Sequence, residues 1–290
     1  MSWVTIDQDQ CNGCGICAKA CLRCFTNKDG VITVHADEQT CSLCGHCVAL
    51  CITNAITHNK MDMDNFHEVR TEVRYDPDEF IRFVRQRRSY RSYKNKEVPR
   101  EDLAKLIDMC RYVPTGSNLQ TVQIKVITNK EKLKKISDLT VDYFSSMIGQ
   151  VEDQAKRLIS EKKEIPKELE ILRGFVNRYR ILASARDSGL DPILHQAPVV
   201  MIFHSAPSPG TPKDDCVIAA QTVVLAAMNM GLGTCYMGLV MKAAQNSPEV
   251  HQSLGLPAGH VAHSILAMGY PKFKFLRTVD RKQMTVQWEE

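Results

Sequence analysis

The chain has 290 residues, 44% of them hydrophobic, enough for two domains and a substantial core. Its formal net charge is +4, too small to argue for a nucleic-acid or membrane-surface partner. Twelve cysteines follow an N-terminus, MSWVTIDQDQ, that has neither a basic stretch nor an apolar run, so a reducing, cytoplasmic setting is expected.

The first sixty residues are dominated by two runs, C-N-G-C-G-I-C-A-K-A-C and C-S-L-C-G-H-C-V-A-L-C. Cys11, Cys14, Cys17 and Cys21 recur as Cys41, Cys44, Cys47 and Cys51, each displaced by thirty. Gly15 recurs as Gly45 and Asp7 as Asp37, which marks an internal duplication. Structural zinc pairs C-x2-C knuckles across a longer loop, and here a third and fourth cysteine follow each knuckle at once. Three thiolates at steps of three can wrap one corner of a cubane, with the fourth opening a short helix. The spacing is that of bacterial sites for two 4Fe–4S clusters, in which the last cysteine of each run serves the other cluster. Residues 1–60 thus resemble two-cluster bacterial ferredoxins. The resemblance implies one cluster on Cys11, Cys14, Cys17 and Cys51, and another on Cys41, Cys44, Cys47 and Cys21. Leu22 and Ile52 stand where that motif has proline, and as apolar residues they are expected to keep water off the clusters. His46 is read as at most a tuner of a cluster potential, and Cys24 as a free thiol that can stand near a cluster.

Val31-Ile32-Thr33-Val34 is a strand candidate between the runs. Residues 61–75 are charged and aperiodic, as in a linker. A second domain, 76–290, opens with Asp76 as a helix cap, Pro77 in the first turn, and Phe80, Phe83 and Val84 on one face. Another helix is expected around Leu103, Leu106, Ile107 and Cys110, then a strand from the alternation of Val122, Ile124 and Val126. Residues 130–185 read as helical, broken near Pro166. Val199–Phe203 is a strand apolar enough to be buried on both faces. Asp214 or Asp215 should cap a long apolar helix that stops at Gly231-Leu232-Gly233. This run, 216–241, holds Gln221 and Asn229 and suits a core helix better than a membrane span. The last strand is expected over residues 261–268.

No G-x-G-x-x-G follows a strand, so a Rossmann site is not supported. Arg87, Arg88, Ser89 and Arg91 gather at a helix end, where guanidinium forks and a hydroxyl suit a phosphate dianion; a solvated basic face has the same composition. Four motifs then occur in order: R-R-S-Y-R, P-T-G-S-N-L-Q, D-D-C-V-I-A-A-Q with M-G-L-G-T-C-Y-M-G, and A-M-G-Y-P followed by arginine. Together they resemble the nitroreductase family of FMN enzymes. The resemblance implies an α+β class chain: a ferredoxin-type domain, then an α/β/α domain on a mixed sheet, forming a homodimer that shares FMN sites. It implies Arg87 and Ser89 at the FMN phosphate, Arg88 near the ribityl chain, and Arg91 by N1 and O2, where negative charge grows on reduction. Pro114, Thr115, Gly116, Ser117 and Asn118, with Gln120, would approach the flavin from the partner subunit. Gly233, Thr234, Cys235 and Tyr236 would pass over its C4a–N5 edge, the glycines allowing close approach. Arg281 matches the C-terminal phosphate ligand, with Arg277 its rival. Cys110, Cys216 and Cys235 are read as buried thiols. No catalytic acid or base is assigned.

The expected activity is an oxidoreductase passing electrons through the clusters and FMN to a small organic acceptor such as a nitroaromatic or quinone. The donor is ferredoxin-like, or NAD(P)H reduces FMN and the clusters carry electrons outward. A non-enzymatic electron shuttle is the third reading. Substrate choice is expected to reside in residues 130–185.

Overall fold

Residues 3–35, 37–70 and 75–290 are described in the structure, a computed structural model. The chain divides into two units, residues 1–75 with Gly116–Leu119, and Asp76–Thr115 with Gln120–Glu290.

The first unit runs β1 (Val4–Ile6), α1 (Ile16–Ala20), β2 (Phe25–Lys28), β3 (Val31–Val34), α2 (His46–Ala49) and β4 (Ile56–His58). β1 pairs antiparallel with β4, and β2 with β3. The duplication is visible in the backbone. Gly15 and Gly45 take left-handed φ of 71° and 72° immediately before α1 and α2. Gly13 and Leu43, also equivalent, have φ of 68° and 52°. A leucine there costs roughly 1–2 kcal/mol relative to glycine. The Asp7 carboxylate accepts from the Asp9 and Gln10 amides, and the Asp37 carboxylate from the Thr40 amide, so each repeat starts in an Asx-type turn. One expectation is corrected: the fourth cysteine of each run closes a helix instead of opening one. Because the left-handed glycines launch the helices directly, Cys17 and Cys47 fall inside them. Cys21 caps the C-terminus of α1, and Cys51 follows Leu50, which caps α2.

Trp3, Val4, Phe25, Ile32, Val48 and Ile56 form this unit's core, joined by Cys17, Cys24 and Cys47. Leu22 and Ile52 do not join it. They are 81% and 69% exposed. In the expected linker, Asp62 starts a turn over Met63–Asn65 and the Phe66 ring lies against Gly45. Residues 71–74 lie outside the described residues.

The second unit begins with α3 (Pro77–Arg85), whose cap is the Asp76 carboxylate accepting from the Glu79 amide at 3.0 Å. Then come α4 (Arg100–Met109), β5 (Gln123–Ile127), α5 (Lys130–Ser160), α6 (Lys167–Asp187), β6 (Val199–Ser205) and α7 (Pro212–Asn229). They are followed by β7 (Gly233–Tyr236), α8 (Gly238–Asn246), α9 (Pro248–Leu254) and β8 (Val261–Gly269). Pro166 is the residue before α6, and proline cannot continue the preceding helix. The cap of α7 differs from expectation. Thr211 stands at the N-cap and Pro212 in the first turn, which places Asp214 and Asp215 inside the helix. The end of α7 is a Schellman turn: Gly231 at φ 75°, its amide bonded to the Met228 carbonyl, and the Leu232 amide to that of Ala227.

The sheet has the order β5-β6-β8-β7, and its neighbours are all antiparallel. This corrects the mixed sheet expected. The crossover from β6 through α7 to β7 does make those two strands parallel, but β8 is inserted between them. The parallel pairing described is the isolated bridge Ser89–Thr234. All seven residues of β6 are buried. Val200 and Ile202 pack with residues of α5, α8 and α9, whereas Val199, Met201 and Phe203 pack with residues of α4 and α7. Helices therefore cover both faces, an α/β/α arrangement. No helix among the described residues is long and apolar enough to cross a membrane.

Candidate functional site

Cys11, Cys14, Cys17 and Cys51 line one small cavity, walled by Ile6, Ile32 and Ile56. Burial raises the Cys17 thiol, and the nearby Cys14 and Cys51 add to the rise. At Cys51 burial acts the other way from its surroundings. The Thr53 hydroxyl and the amides of Ala55, Thr53 and Ile56 prevail and hold it below the usual thiol range. The Ala55 amide lies 3.2 Å from the Cys51 sulfur. In the second set, burial pushes Cys47 up to about 11, with Cys41, Cys44 and Cys21 contributing. The Leu43 amide donates to Cys41 Sγ at 3.4 Å. Donors aimed at sulfur favour the thiolate, the form that binds metal. Among the described residues, no three cysteines, histidines or carboxylates converge tightly enough for a single metal ion.

One residue of this region escaped the sequence reading. His58 is buried, its Nδ1 accepts from the Lys60 amide at 3.2 Å, and its Nε2 lies 3.7 Å from Cys41 Sγ. The Lys60 contact assigns the proton to Nε2, so the imidazole donates to the sulfur. Trp3 packs edge-on against it at 5.3 Å. Nothing in the spacing of His58 announces this, because the β1–β4 pairing delivers it to Cys41. Cys24 is also close: burial, then Cys21 and Cys41, push its thiol up to about 12.

In the second unit the R-R-S-Y-R segment meets β7. Ser89 bridges Thr234, and the Tyr90 amide donates to the Thr234 carbonyl at 2.9 Å. A Cβ on Gly233 would stand 2.6 Å from the Tyr90 ring. The glycine is thus required by the tyrosine packed on it, a reason the sequence reading did not contain. Burial raises the Cys235 thiol, opposed by Arg91, the Ser89 hydroxyl and Arg87. Burial likewise raises Tyr236, opposed by Arg87. Arg87, Ser89, Arg91, Thr234, Cys235 and Tyr236 are therefore brought together. Gln221, read in the sequence only as a polar residue of the apolar run, accepts from the Tyr236 hydroxyl at 3.2 Å.

Arg88 gives the clearest sign of a missing partner. It is 9% exposed, and its Nη1 donates to the carbonyls of Arg85 and Arg87. Its Nε and Nη2 are buried with no hydrogen-bond partner. A guanidinium stays charged, so such donors call for an acceptor or an anion. The chemistry fits a phosphate or polyhydroxyl chain, which the residues around it suit.

The family model described as "Nitroreductase family" matches residues 84–270. The chain belongs to the nitroreductase family. Its relatives are oxidoreductases. The chain is 25% identical over 217 residues to the NAD(P)H FMN reductase of Bacillus subtilis, covering 73% of this chain and 74% of that protein. It is 28% identical over 162 residues to 4-nitrobenzoate reductase of Pseudomonas putida, covering 54% of this chain and 71% of the other. The fold is shared with a nitroreductase with bound FMN from Bacteroides fragilis, with TM-score 0.52 and 22% identity over 73% of this chain and 99% of that one.

In this nitroreductase-family chain the remaining expected residues are placed differently. Pro114, Thr115 and Gln120 belong to the second unit, but Gly116, Ser117 and Asn118 belong to the first. The Asn118 side-chain amide donates to the Ser42 and Leu43 carbonyls at 2.9 and 2.8 Å. The neck of this loop is closed by the Gln120 amide on the Thr115 hydroxyl at 3.1 Å. Ser117, Asn118 and Gln120 have φ of 51°, 56° and 50°, three left-handed non-glycine residues in four. Strain of this density is found where a loop is held for function. Arg281 lies exposed in the C-terminal tail, as does Arg277.

Proposed function

We propose that this oxidoreductase passes electrons through two 4Fe–4S clusters and one FMN to a small organic acceptor such as a nitroaromatic or a quinone. Bound iron–sulfur clusters exchange electrons singly, and bound FMN exchanges one or two. The observation that carries the reading is the paired chemistry of the chain: two cysteine quartets in one unit, and a buried, half-unpartnered Arg88 beside Ser89 and Thr234 in the other. The quartet Cys11, Cys14, Cys17 and Cys51 would hold one cluster, and Cys41, Cys44, Cys47 and Cys21 the other. Ile6, Ile32 and Ile56 line the cavity that the first would occupy. Arg87, Arg88 and Ser89 would hold the FMN phosphate and ribityl chain, and Arg91 would stabilise negative charge at the ring. Cys235 and Tyr236 contribute the wall carried by β7. The names of the relatives support an FMN cofactor and a nitroaromatic acceptor.

A second reading has NAD(P)H supplying the electrons directly, and the NAD(P)H FMN reductase relative favours it. A homodimer sharing the FMN sites fits the exposed apolar residues Phe80, Ile81 and Val84 on α3 and Phe273, Phe275 and Leu276 in the tail.

Anaerobic purification with iron, sulfide and flavin quantified per chain tests the reading. About eight iron atoms, for two cubanes, with about one FMN are expected. Zinc in place of iron overturns the cluster half, and absence of flavin overturns the other. Bleaching of the flavin by a low-potential donor but not by NADH or NADPH assigns entry through the clusters; rapid bleaching by NADH assigns the nicotinamide route.

A further inference from the structure

The second unit also holds a cavity of about 800 Å³. Neither Arg87 nor Ser89, Thr234 or Cys235 lines it. Its walls are apolar where Tyr93, Leu133 and Pro198 face it, and Lys94, Lys130 and Lys272 face it as well. This volume is in the range of sites for small organic ligands.

The charge of the cavity is unbalanced in a specific way. Two carboxylates line it, and both are already engaged. Asp138 pairs with Lys134 at 2.6 Å. Asp191 accepts from the Ser137 hydroxyl and from the amides of Ile193, Leu194 and Gln196. Arg186, also in the lining, is paired with Asp142. Lys94, Lys130 and Lys272 have no ion-pair partner among the described residues.

Two of these lysines are held together by backbone. Tyr93 bridges Pro271 in antiparallel fashion, the Lys94 amide donates to the Tyr270 carbonyl at 2.8 Å, and the Lys272 amide to the Ser92 carbonyl at 3.0 Å. Lys94 thus stands opposite Tyr270 and Lys272 opposite Ser92, offset diagonally across the bridge, and both contribute to the lining of the cavity. Another stretch of the lining is strained. Asp191 winds the chain so tightly that His195 and Gln196 both take φ of 58°, and Gln196 thereby reaches the cavity lining. Two successive left-handed non-glycine residues are a strained arrangement of the sort found at ligand sites.

We propose that this cavity binds a small organic anion with a flat apolar body, an aromatic carboxylate being its simplest form. The body lies against Tyr93, Leu133 and Pro198. The carboxylate sits among Lys94, Lys130 and Lys272, and Gln196 is positioned to meet a polar substituent. The proposal does not rest on the flavin reading, since none of Arg87, Arg88, Ser89, Arg91, Thr234 and Cys235 lines the cavity.

The test uses the full chain with its cofactors, titrated calorimetrically with 2-naphthoate, with its neutral amide 2-naphthamide, and with inorganic phosphate. Naphthoate should bind at one site per chain. Loss of the charge-assisted contacts makes naphthamide weaker by about tenfold or more, and the double variant Lys94→Gln, Lys272→Gln should weaken naphthoate by a similar factor. The variant should leave naphthamide affinity, flavin content and sedimentation unchanged, since both lysines are exposed. Phosphate should displace naphthoate poorly, because it lacks the apolar body. Equal binding of acid and amide, an unaltered affinity in the double variant, or release of flavin by naphthoate would each overturn the proposal. So would a change of oligomeric state in the variant, which would make the cavity a contact between copies of the chain.

Discussion

Arg88 has five N–H donors and spends them on the carbonyls of its neighbours through one nitrogen alone. Leaving the others buried and unpartnered costs about 1–3 kcal/mol. Arg88→Met should therefore raise the stability of the flavin-free chain by up to about that amount while lowering FMN retention. Thermal melts with and without flavin, and flavin content after gel filtration, measure both. Movement of the two in the same direction would remove Arg88 from the site. A second residue-level expectation concerns His204, buried with its Nδ1 3.0 Å from Nδ1 of His260. Burial, then His260, Lys125 and His263, lower its pKa from the usual 6.5. The unfolded chain thus takes up this proton more readily than the folded one. The stability this neutral imidazole contributes is present above about pH 6.5 and is lost as pH falls through the lower folded value. The denaturation midpoint should fall between pH 7.5 and 5.5, and His204→Gln should flatten part of that slope. Neither residue's condition is legible in the sequence, since burial and partner geometry are properties of the packed chain.

At the scale of elements, Gly233 is the tightest joint. An alanine there would place a methyl 2.6–2.9 Å from Tyr90 side-chain atoms, at the point where Ser89 meets Thr234. Gly233→Ala should cost about 1–3 kcal/mol by overpacking, read by chemical denaturation, with flavin content falling because the arginine segment is pushed off β7. Full stability and flavin content in that variant would show that Tyr90 yields freely. Element boundaries that depend on local chemistry were legible: the Asp76 cap, the break at Pro166 and the glycine stop of α7. Others were not. β7, α8 and α9 carry short patterns that glycines and prolines interrupt, and β7 becomes a strand by pairing with β8. The cap of α7 was misplaced because Pro212 can open a helix and Asp214 fits its first turn as well as its cap.

For the molecule as a whole, the division into two units predicts that the clusters proposed for the first and the FMN of the second can be lost separately. Cys14→Ser should reduce iron from about eight to about four per chain, as one cubane of the pair is lost, while FMN is retained. Iron and flavin assays on the purified variant decide it. Simultaneous loss of both would show that the units fold as one.

Taken alone, the sequence determined the cysteine duplication, the ordered arginine, loop and glycine motifs, and the main helices. These are written in spacings of three or four residues, or in caps and stops that act within one turn. Tertiary structure alone decided that β8 enters between β6 and β7, that His58 reaches Cys41, that Asn118 bonds to Ser42 and Leu43, and that Lys94 and Lys272 line one cavity. Each of these brings together residues far apart in the chain. Their meeting is set by which faces must be buried against which, a condition that no local spacing encodes.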